Sequence, residues 1–280
     1  MRLFSLFIAI LLAASCSRPF VIVQVADVQM GFAAAALAGK SGEECAGDVE
    51  FEADCLRRVV EVVNEICPDV VVFTGDQVNV AGNEGQWSAF REIAGGIRSG
   101  VRCLYLPGNH DVEVKDGRVC MEEYASRCGA DRFCFRDRGV KLVGINTNLI
   151  SNDDPLEEEQ LEWLRDILGD RTAGKSSGKS HRDKVTLVFG HHPFFLSDID
   201  EPDSYFPIGQ AKRRGYFELF ESKGVDAVYA GHRHETFDSS FGGIPMKTTT
   251  SAAFQIGKSK PSVRVIVVNK GQVSDELREL

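Results

Sequence analysis

The sequence lacks three features that would each have assigned it to a common class of protein. Basic residues are in deficit, with 32 against 41 acidic ones and a formal charge of -9, so the chain repels a phosphate backbone and we expect no nucleic acid partner. No two cysteines form a Cys-x-x-Cys pair, which argues against a zinc knuckle or a redox dithiol. After residue 16, no apolar stretch is long enough to cross a membrane. The remaining composition, 43% hydrophobic and 26% charged, excludes a disordered or collagen-like chain.

The first sixteen residues have the organisation of a targeting segment. Arg2 gives a basic start, Leu3 to Leu12 form an apolar run too short for a permanent membrane helix, and small residues precede Cys16. That ending resembles a bacterial lipobox, although Ala13 stands where leucine is usual. We therefore expect residues 1–16 to be a signal peptide, and the exported chain to be held by a lipid on Cys16 at a bacterial membrane, on its periplasmic or cell-surface side. An ordinary cleaved signal peptide and a buried first strand are the alternatives.

The cysteine count leaves the disulfide pattern open. If Cys16 carries lipid, seven cysteines remain, so at least one is unpaired. Export permits disulfides, and two groups are close enough in sequence to close short loops. These groups are Cys45 with Cys55, and Cys120 with Cys128 and Cys134.

Short apolar runs recur along the chain, and each ends in polar residues. Phe20 to Ala26 is typical of a buried strand and stops at Asp27, and Val70 to Thr74 is followed by Gly75-Asp76. Between them, apolar residues spaced through 49–66 fit one face of a helix. The same pattern recurs three times, with strands that end before Asn109, His191 and His232.

The alternation of strands and helices predicts an α/β fold. We expect one domain over residues 17–280, a four-layer α/β/β/α sandwich of two mixed β-sheets flanked by helices. The final third, including Met246 to Ser251 and Val263 to Val268, is more purely β in character and is expected to form a second sheet. Residues 171–183, rich in Gly, Ser and Lys, are expected to be a flexible surface loop.

Six polar residues directly follow predicted strands, and the carboxyl ends of strands in α/β sheets converge on one crevice. Taken singly, such an aspartate is more often a helix cap and such a histidine a satisfied core residue. Together they favour a site for two divalent cations about 3.5–4 Å apart, because oxygen and imidazole ligands without thiolate suit hard or borderline metals. A shared carboxylate must bridge such a pair, and Asp76 is the natural bridge. The six are Asp27, Asp76, Asn109, His191, His232 and His234.

Five sequence blocks over about residues 20–250 resemble those of the calcineurin-like metallophosphoesterases. They are Asp27-x-Gln29, Gly75-Asp76, Gly108-Asn109-His110-Asp111, Gly190-His191 and Gly231-His232-x-His234. The resemblance implies a metallophosphoesterase fold and a first metal held by Asp27, Asp76 and His234. It implies that the second metal is held by Asp76, Asn109, His191 and His232.

The same resemblance implies roles for the residues beside the metals. His110 protonates the leaving oxygen or stabilises the phosphoryl group, Asp111 orients His110, and a metal-bound hydroxide is the nucleophile. Asn79 stands where purple acid phosphatases need a tyrosine to bind ferric iron, which disfavours that chemistry.

Gln29 departs from the family pattern, which has histidine there in most members. An amide oxygen is a weaker and harder ligand than imidazole. Three consequences stay open: the first site binds its metal more loosely, it prefers manganese or magnesium, or Gln29 is not coordinated. For the whole site we expect two divalent ions among Mn, Fe, Zn and Mg. The Asp-x-Gln start, with Phe189 to Pro193 and Asp198 to Phe206, looks like the branch named calcineurin-like phosphoesterase domain-containing protein, associated with protein serine/threonine phosphatase activity.

These observations favour a monomeric hydrolase of phosphomonoesters. A phosphodiesterase acting on nucleotides or lipid head groups is one alternative, and a non-catalytic, ligand-binding lipoprotein with a weakened first metal site is another. Residues 30–48 and 194–216 are expected to border the crevice and to set specificity. In the second segment, residues 212–214 either meet phosphate or begin an exposed helix, and His192 either faces the substrate or is a solvated neighbour.

Overall fold

The fold is that of a computed structural model in which residues 18–39, 44, 47–169 and 183–280 are described. Several predictions from the sequence lie outside this part of the chain. They concern the signal peptide, Cys16, Cys45 and all of the predicted surface loop except Asp183.

The first sheet has five strands in the order β13-β12-β1-β2-β3. Strands β1, β2 and β3 are parallel, whereas β12 and β13 run antiparallel to their neighbours. The run Val-Val-Val-Phe-Thr of β2 is buried on both faces, as is usual for a central parallel strand. The five strands are β1 (Phe20–Val25), β2 (Val70–Thr74), β3 (Arg102–Leu106), β12 (Ser262–Asn269) and β13 (Gln272–Glu279).

The second sheet has six strands in the order β10-β11-β9-β8-β7-β6, in which β7, β8, β9 and β11 are parallel. Its strands are β6 (Phe133–Asp137), β7 (Val140–Gly144), β8 (Val185–Phe189), β9 (Ala227–Ala230), β10 (Phe237–Phe241) and β11 (Ile244–Thr248). A small hairpin of β4 (Glu113–Lys115) and β5 (Arg118–Cys120) stands apart.

Seven helices are described, and the four longest of them pack against the outer faces of the two large sheets. They are α1 (Phe32–Ala38), α2 (Glu50–Ile66), α3 (Glu84–Ala94), α4 (Glu122–Cys128), α5 (Thr147–Ser151), α6 (Leu156–Leu168) and α7 (Gln210–Lys223). In α2, Leu56, Val59 and Val63 recur at helical spacing and are fully buried in the core of the first sheet.

Three apolar layers hold the sandwich together. One core joins α2 and α3 to the first sheet, and a second joins α6 and α7 to the other sheet. The third lies between the sheets, where Ile22 and Val72 belong to the same buried cluster as Leu187 and Tyr229. The predicted four-layer α/β/β/α sandwich of two mixed sheets is thus confirmed.

The expected grouping of the final third was wrong. Strands β10 and β11 join the second sheet beside β9, but β12 and β13 join the first sheet beside β1. Strand β2 pairs with one edge of β1, and β12 pairs with the other edge. In this second pairing, Phe20 to Gln24 lie opposite Arg264 to Val268. No helix among the described residues is both long and apolar enough to cross a membrane.

Candidate metal centre

Five strands deliver the predicted ligands to one end of the sandwich. Asp27, Asp76 and Asn109 follow β1, β2 and β3 of the first sheet, and His191 and His232 follow β8 and β9 of the second. The loops after β1 and β2 stay paired beyond the strands, with 2.7 Å between the amide nitrogen of Gln29 and the carbonyl oxygen of Asp76. The structure therefore brings together residues up to about 200 positions apart in the sequence.

The backbone at this end is strained. Five predicted ligands have φ in the left-handed region, where side chains other than glycine cost about 1–3 kcal/mol each. They are Asp27 at 53°, Gln29 at 49°, Asp76 at 51°, His232 at 70° and His234 at 52°. Such strain persists only where the surroundings enforce it, and it turns these side chains inward at a functional site.

Glycines allow the loops to approach the carboxylates. A Cβ on Gly108 would lie 2.0 Å from Oδ1 of Asp76, and one on Gly231 would lie 2.5 Å from Oδ2 of Asp27. Real Cβ atoms do not come this close to other atoms. The glycine before Asn109 and the glycine before His232 are therefore required by packing against the facing aspartates.

One group of ligand atoms consists of Asp27, Asp76 and His234, whose donor atoms all lie within 4.8 Å of one another. Nε2 of His234 is 3.6 Å from Oδ1 of Asp27. The other nitrogen, Nδ1, lies 2.6 Å from the carbonyl oxygen of Phe254. Since a carbonyl only accepts, Nδ1 carries the proton and Nε2 faces the carboxylates. This group matches the first metal site that the resemblance implies.

A second group surrounds His191 at the adjoining position. Its Nε2 lies 3.4 Å from Oδ2 of Asp76 and 3.0 Å from Oδ1 of Asn109. The donor atoms of His191, His192 and His232 also lie within 4.8 Å of one another. Asp76 contacts both groups, which is the position that a bridging carboxylate needs.

Burial and close contact shift the acidity of the groups in this cluster. Burial raises the pKa of Asp27 to about 8. Burial opposes a charge on Asp76 and on His191, but their mutual attraction outweighs it, so that the pKa of Asp76 falls and that of His191 rises to about 9. Burial lowers the pKa of His232 to about 3 and of His234 to about 4. At neutral pH, protons on Asp27 and His191 therefore offset the buried negative charge.

The donor set fits a pair of divalent cations. Two of its buried atoms, Oε1 of Gln29 and Nε2 of His232, have no hydrogen-bond partner, and leaving such atoms unpaired is costly. Cations would satisfy these atoms and would take the place of the protons on the buried carboxylate and imidazole. The carboxylate, amide and imidazole ligands have the hardness expected for Mn, Fe, Zn or Mg.

Gln29 is placed to coordinate without competing bonds. Its Nε2 donates to Oδ1 of Asn79 at 3.3 Å, which leaves Oε1 as the free end of the amide. The side chain is buried, with 2% of the residue exposed. This geometry leaves Oε1 available as a ligand atom, and both its coordination and the metal preference stay predictions.

His110 lies beside the cluster, half-buried, with its backbone amide donating to Oδ1 of Asp76 at 2.9 Å. Its ring is held by the carbonyl oxygen of Asn79, 3.0 Å from Nδ1. Nδ1 therefore carries the proton, and the other ring nitrogen is free for a substrate. A position next to the metals with a free nitrogen suits a group that exchanges a proton.

Asp111 does not orient the ring of His110 directly, contrary to our expectation. Its Oδ1 accepts from the backbone amides of Gln77 and Val78 at 2.8 and 3.1 Å, and its Oδ2 accepts from that of Gly108 at 2.7 Å. Three backbone amides donate to this fully buried carboxylate, and no hydrogen bond joins it to the ring of His110 among the described residues. Asp111 instead fixes the loop that carries Asp76 to the loop that carries His110.

Further side chains support the cluster, and Thr147 among them carried no signal in the sequence. Oγ1 of Thr147 accepts from the amides of His191 and His192 and lies 3.0 Å from Nδ1 of His192. His192 is buried rather than solvated, with 5% exposed, and its ring centroid lies 4.4 Å from that of His232. Asn148 donates to the carbonyl oxygens of Pro107 and Gly108.

Aromatic rings stand on two sides of the metal cluster. Tyr205 and Phe206 each place their ring centroid 5.5 Å from that of His232. On the other side, Phe32 lies 5.4 Å from His234 and 6.3 Å from His110. Phe32 and the pair Tyr205 and Phe206 come from the two segments that we expected to border the crevice.

The basic residues at 212–214 do not face phosphate. Lys212 pairs with Asp153 and Glu157, and Arg214 pairs with Asp200. Arg213 is fully buried and donates to the carbonyl oxygens of Ile199, Glu201 and Ile208. The helix alternative is therefore correct in part: the three residues lie in the first turns of α7, which begins at Gln210, but Arg213 is buried rather than exposed. Arg213 supports the loop that presents Tyr205 and Phe206.

The described cysteines take no part in the cluster. Six of them, Cys55, Cys67, Cys103, Cys120, Cys128 and Cys134, are free thiols. No loop among residues 47–169 or 183–280 is therefore closed by a disulfide between them.

Comparisons with known proteins agree with this geometry. A family model described as calcineurin-like phosphoesterase matches residues 20–236. The chain is 27% identical over 269 residues to the serine/threonine-protein phosphatase CPPED1 of Danio rerio, covering 92% of this chain and 84% of that protein. It is 24% identical over 209 residues to the cAMP/cGMP dual specificity phosphodiesterase MT0825 of Mycobacterium tuberculosis, covering 72% and 60%. The crystal structure of a dimetal phosphatase from Danio rerio superposes with a TM-score of 0.61 at 14% identity, over 93% of this chain and 99% of that one.

Proposed function

This chain belongs to the calcineurin-like phosphoesterase family and is a phosphoric ester hydrolase; from that premise we propose that it hydrolyses phosphomonoesters at a dinuclear metal centre. The observation that carries the proposal is the junction of two ligand groups at Asp76, with 3.4 Å between its Oδ2 and Nε2 of His191. A carboxylate in that position could be shared by two cations, and two cations would supply the charge stabilisation that displacement of an alcohol from phosphorus needs.

Each predicted ligand has a place in this proposal. The first cation would be held by Asp27, Gln29, Asp76 and His234. The second would be held by Asp76, Asn109, His191 and His232. When bound, the two cations would supply Lewis acidity, which polarises the phosphoryl group and makes a nearby water more acidic.

In its doubly protonated form, with one proton on each ring nitrogen, His110 would give the Nε2 proton to the leaving oxygen and keep the one on Nδ1. The carbonyl oxygen of Asn79 fixes its ring through Nδ1, so that only the far nitrogen exchanges a proton with the substrate. The carboxylate of Asp111 accepts hydrogen bonds from the backbone amides of Gln77, Val78 and Gly108, and these bonds join the loop of His110 to the loop of Asp76. Such preorganisation lets the proton donor act without rearrangement of the loop.

A monoester is favoured over a diester by the comparisons. The CPPED1 protein, which is named a serine/threonine-protein phosphatase, matches over more of both chains than the cyclic nucleotide phosphodiesterase does. A phosphoprotein is therefore the first substrate class to test, and a nucleotide or lipid head-group diester is the second. The non-catalytic alternative is disfavoured because the cluster keeps its bridge, its imidazoles and its proton donor together.

The proposal is tested with two chromogenic esters. With manganese present, p-nitrophenyl phosphate should be cleaved far faster than bis(p-nitrophenyl) phosphate, and a phosphoserine peptide should also release phosphate. A reversed order of the two rates would establish the diesterase alternative. No manganese-dependent turnover of either ester would favour the non-catalytic one.

We further propose that the chain is exported and held at a membrane by a lipid on Cys16. The support is the sequence pattern of residues 1–16, which lie outside the described residues. Cys16→Ser should release the protein from the membrane fraction of cells. A variant that still sediments with membranes after a wash with high salt would contradict the lipid anchor.

A further inference from the structure

The end of the sandwich opposite the metal centre carries a concentration of basic side chains. Two neighbouring hollows occur there, the larger of about 760 Å³, and Arg18 lines both of them. They lie where β1, β2 and β7 begin and where the turn between β12 and β13 reverses the chain. We call this surface the basic edge, defined by Arg18, Arg98, Arg138, Lys184 and Lys270.

We propose that the basic edge docks on a membrane surface rich in anionic phospholipid, with the metal centre turned away from that membrane. The hollows are lined by five basic residues and only two acidic ones, Asp69 and Asp137, in a chain with a net charge of -9. A local excess of positive charge on an acidic protein orients that protein toward an anionic surface.

The two acidic residues pair with two of the five basic ones, Arg18 and Arg138, and leave an excess of positive charge. Asp69 is largely buried, with 7% of its side chain exposed, and it is shared by Arg18 and Arg138. Asp137 lies 3.2 Å from Arg138, which already contacts Asp69. Within the described part of the chain, Arg98, Lys184 and Lys270 form no ion pair and are exposed. Their charges therefore remain available to lipid phosphates.

The course of the chain agrees with this orientation. The described chain starts at Arg18, which belongs to the basic edge, so residues 1–17 connect to the domain there. Cys16 precedes Arg18 by two residues, and two extended residues span at most about 7 Å. A lipid on Cys16 would therefore hold this edge against the bilayer. This step rests on the proposed lipid anchor, whereas the charge argument does not.

The metal centre lies at the far end of the same strands. Strand β1 begins at Phe20 beside the basic edge and leads to Asp27 in the metal cluster. A strand of 6 residues is about 20 Å long. With the basic edge on the lipid, head groups of the same leaflet are out of reach of the cations. The substrate must then arrive from the aqueous side, which favours a dissolved phosphoester over a lipid head group.

Vesicle binding tests the proposal with the full chain carrying Cys16→Ser. Protein is sedimented with neutral phosphatidylcholine vesicles and with vesicles that also contain anionic phosphatidylglycerol. We expect stronger binding to the anionic vesicles, and a loss of that difference as salt is raised. Residues 1–17 are the same in every variant, so a change in the ratio from one variant to another reports the contribution of the basic edge.

Charge reversal locates the binding surface. Lys184→Glu with Lys270→Glu should lower the anionic-to-neutral ratio by about 30-fold or more, since each basic residue contributes about fivefold. The matched control is Arg58→Glu with Arg165→Glu, two exposed residues outside the hollows, which should leave the ratio within about threefold of the parent. Equal losses in both variants, or no preference of the parent for anionic vesicles, would overturn the proposal. Displacement by inorganic phosphate beyond that by chloride at equal ionic strength would assign the edge to a dissolved anion instead.

Hydrogen exchange tests the orientation. On anionic vesicles, the amides of the turns at 137–139 and 269–271 should gain protection, and those of the loop at 203–207 beside the metal centre should not. Protection at 203–207 would overturn the orientation. The Lys184→Glu, Lys270→Glu variant should keep the parent rate on p-nitrophenyl phosphate in solution, so a failure of docking is distinguishable from a failure of the proposed hydrolase.

Discussion

The carbonyl oxygen of Thr74 accepts a hydrogen bond from Nδ1 of His191 at 2.9 Å. Thr74 ends β2 and His191 follows β8, so this bond joins the two sheets at the metal centre. Because the carbonyl fixes the proton on Nδ1, Nε2 is the nitrogen that faces Asp76 and Asn109. A backbone oxygen of the first sheet thus determines which ring nitrogen of His191, a predicted ligand from the second sheet, faces the cluster.

Asp76→Asn should abolish metal-dependent turnover while the fold persists. A neutral amide keeps the size of the side chain but cannot offset the charge of two cations. The parent should gain thermal stability when manganese is added, because a ligand that binds only the folded state stabilises it. In the variant this gain should vanish and the metal content should fall below two per chain. Asp166→Asn, at an exposed aspartate, is the control, and full turnover by Asp76→Asn would refute the bridge.

Gln29→Leu should weaken one of the two metal sites by about tenfold or more. Leucine removes the buried Oε1 that has no hydrogen-bond partner. Gln77→Leu is the matched control, since Gln77 is also a buried glutamine with an unpartnered Oε1 but is not a predicted ligand. Gln29→His should tighten the same site. Metal titration by calorimetry gives all three affinities, and equal values for Gln29→Leu and Gln77→Leu would show that Gln29 does not coordinate.

His110→Ala should lower kcat by about 10²–10⁴-fold on substrates with poor leaving groups while both metals remain bound. The loss should be much smaller for p-nitrophenyl phosphate, because nitrophenolate leaves without a proton. Comparison of that ester with phenyl or alkyl phosphates measures the difference. An equal decrease in kcat on all esters would contradict the role of His110 as a general acid. A decrease in metal content would show that His110 is a metal ligand instead.

Metal binding to the metal-free protein should tighten as the pH rises from about 6 to about 9. The pKa of Asp27 is raised to about 8 and that of His191 to about 9, so both carry protons that a cation must displace. Each displaced proton gives up to tenfold in affinity per pH unit, and the rise should end above about pH 9. His232 and His234 have lowered pKa values and are already neutral at these pH values. A manganese affinity that levels off near pH 7 would contradict the raised pKa values.

The same two groups affect the stability of the metal-free protein. Their folded pKa values lie above the unfolded ones, so the stability they contribute is present at low pH and is lost as the pH rises through about 8 and 9. Saturating manganese should remove this decline, because it displaces both protons.

Arg213→Lys should raise the KM for phosphoesters more than it lowers kcat. Lysine keeps the charge but cannot donate to the carbonyl oxygens of Ile199, Glu201 and Ile208 in one plane. The loop that carries Tyr205 should then lose order, and the free energy of unfolding should fall by about 1–3 kcal/mol. Arg214→Lys, at an exposed arginine paired with Asp200, should change neither value. A stability loss with an unchanged KM would show that the loop does not contact the substrate.

The sequence by itself determined the strands and the polar residues, our predicted ligands, that follow them. Each apolar run is short, is rich in β-branched residues and ends at a polar residue, and those features are local. Asp27, Asp76, Asn109, His191 and His232 all occupy the predicted strand ends. The residue types alone also indicated divalent cations, because hardness belongs to the ligand atom and not to the fold.

Only the tertiary structure decided how those ligands are held. The proton on His191 depends on Thr74, 117 residues away, and the backbone amide of His232 reaches Asp27 across 205 residues. Asp111 accepts from the backbone amides of Gln77 and Val78, which come from another loop of the sheet, rather than binding the ring of His110. The last two strands, β12 and β13, belong to the first sheet because β12 pairs with the free edge of β1. That pairing joins segments more than 200 residues apart, so no local pattern in the sequence predicts it.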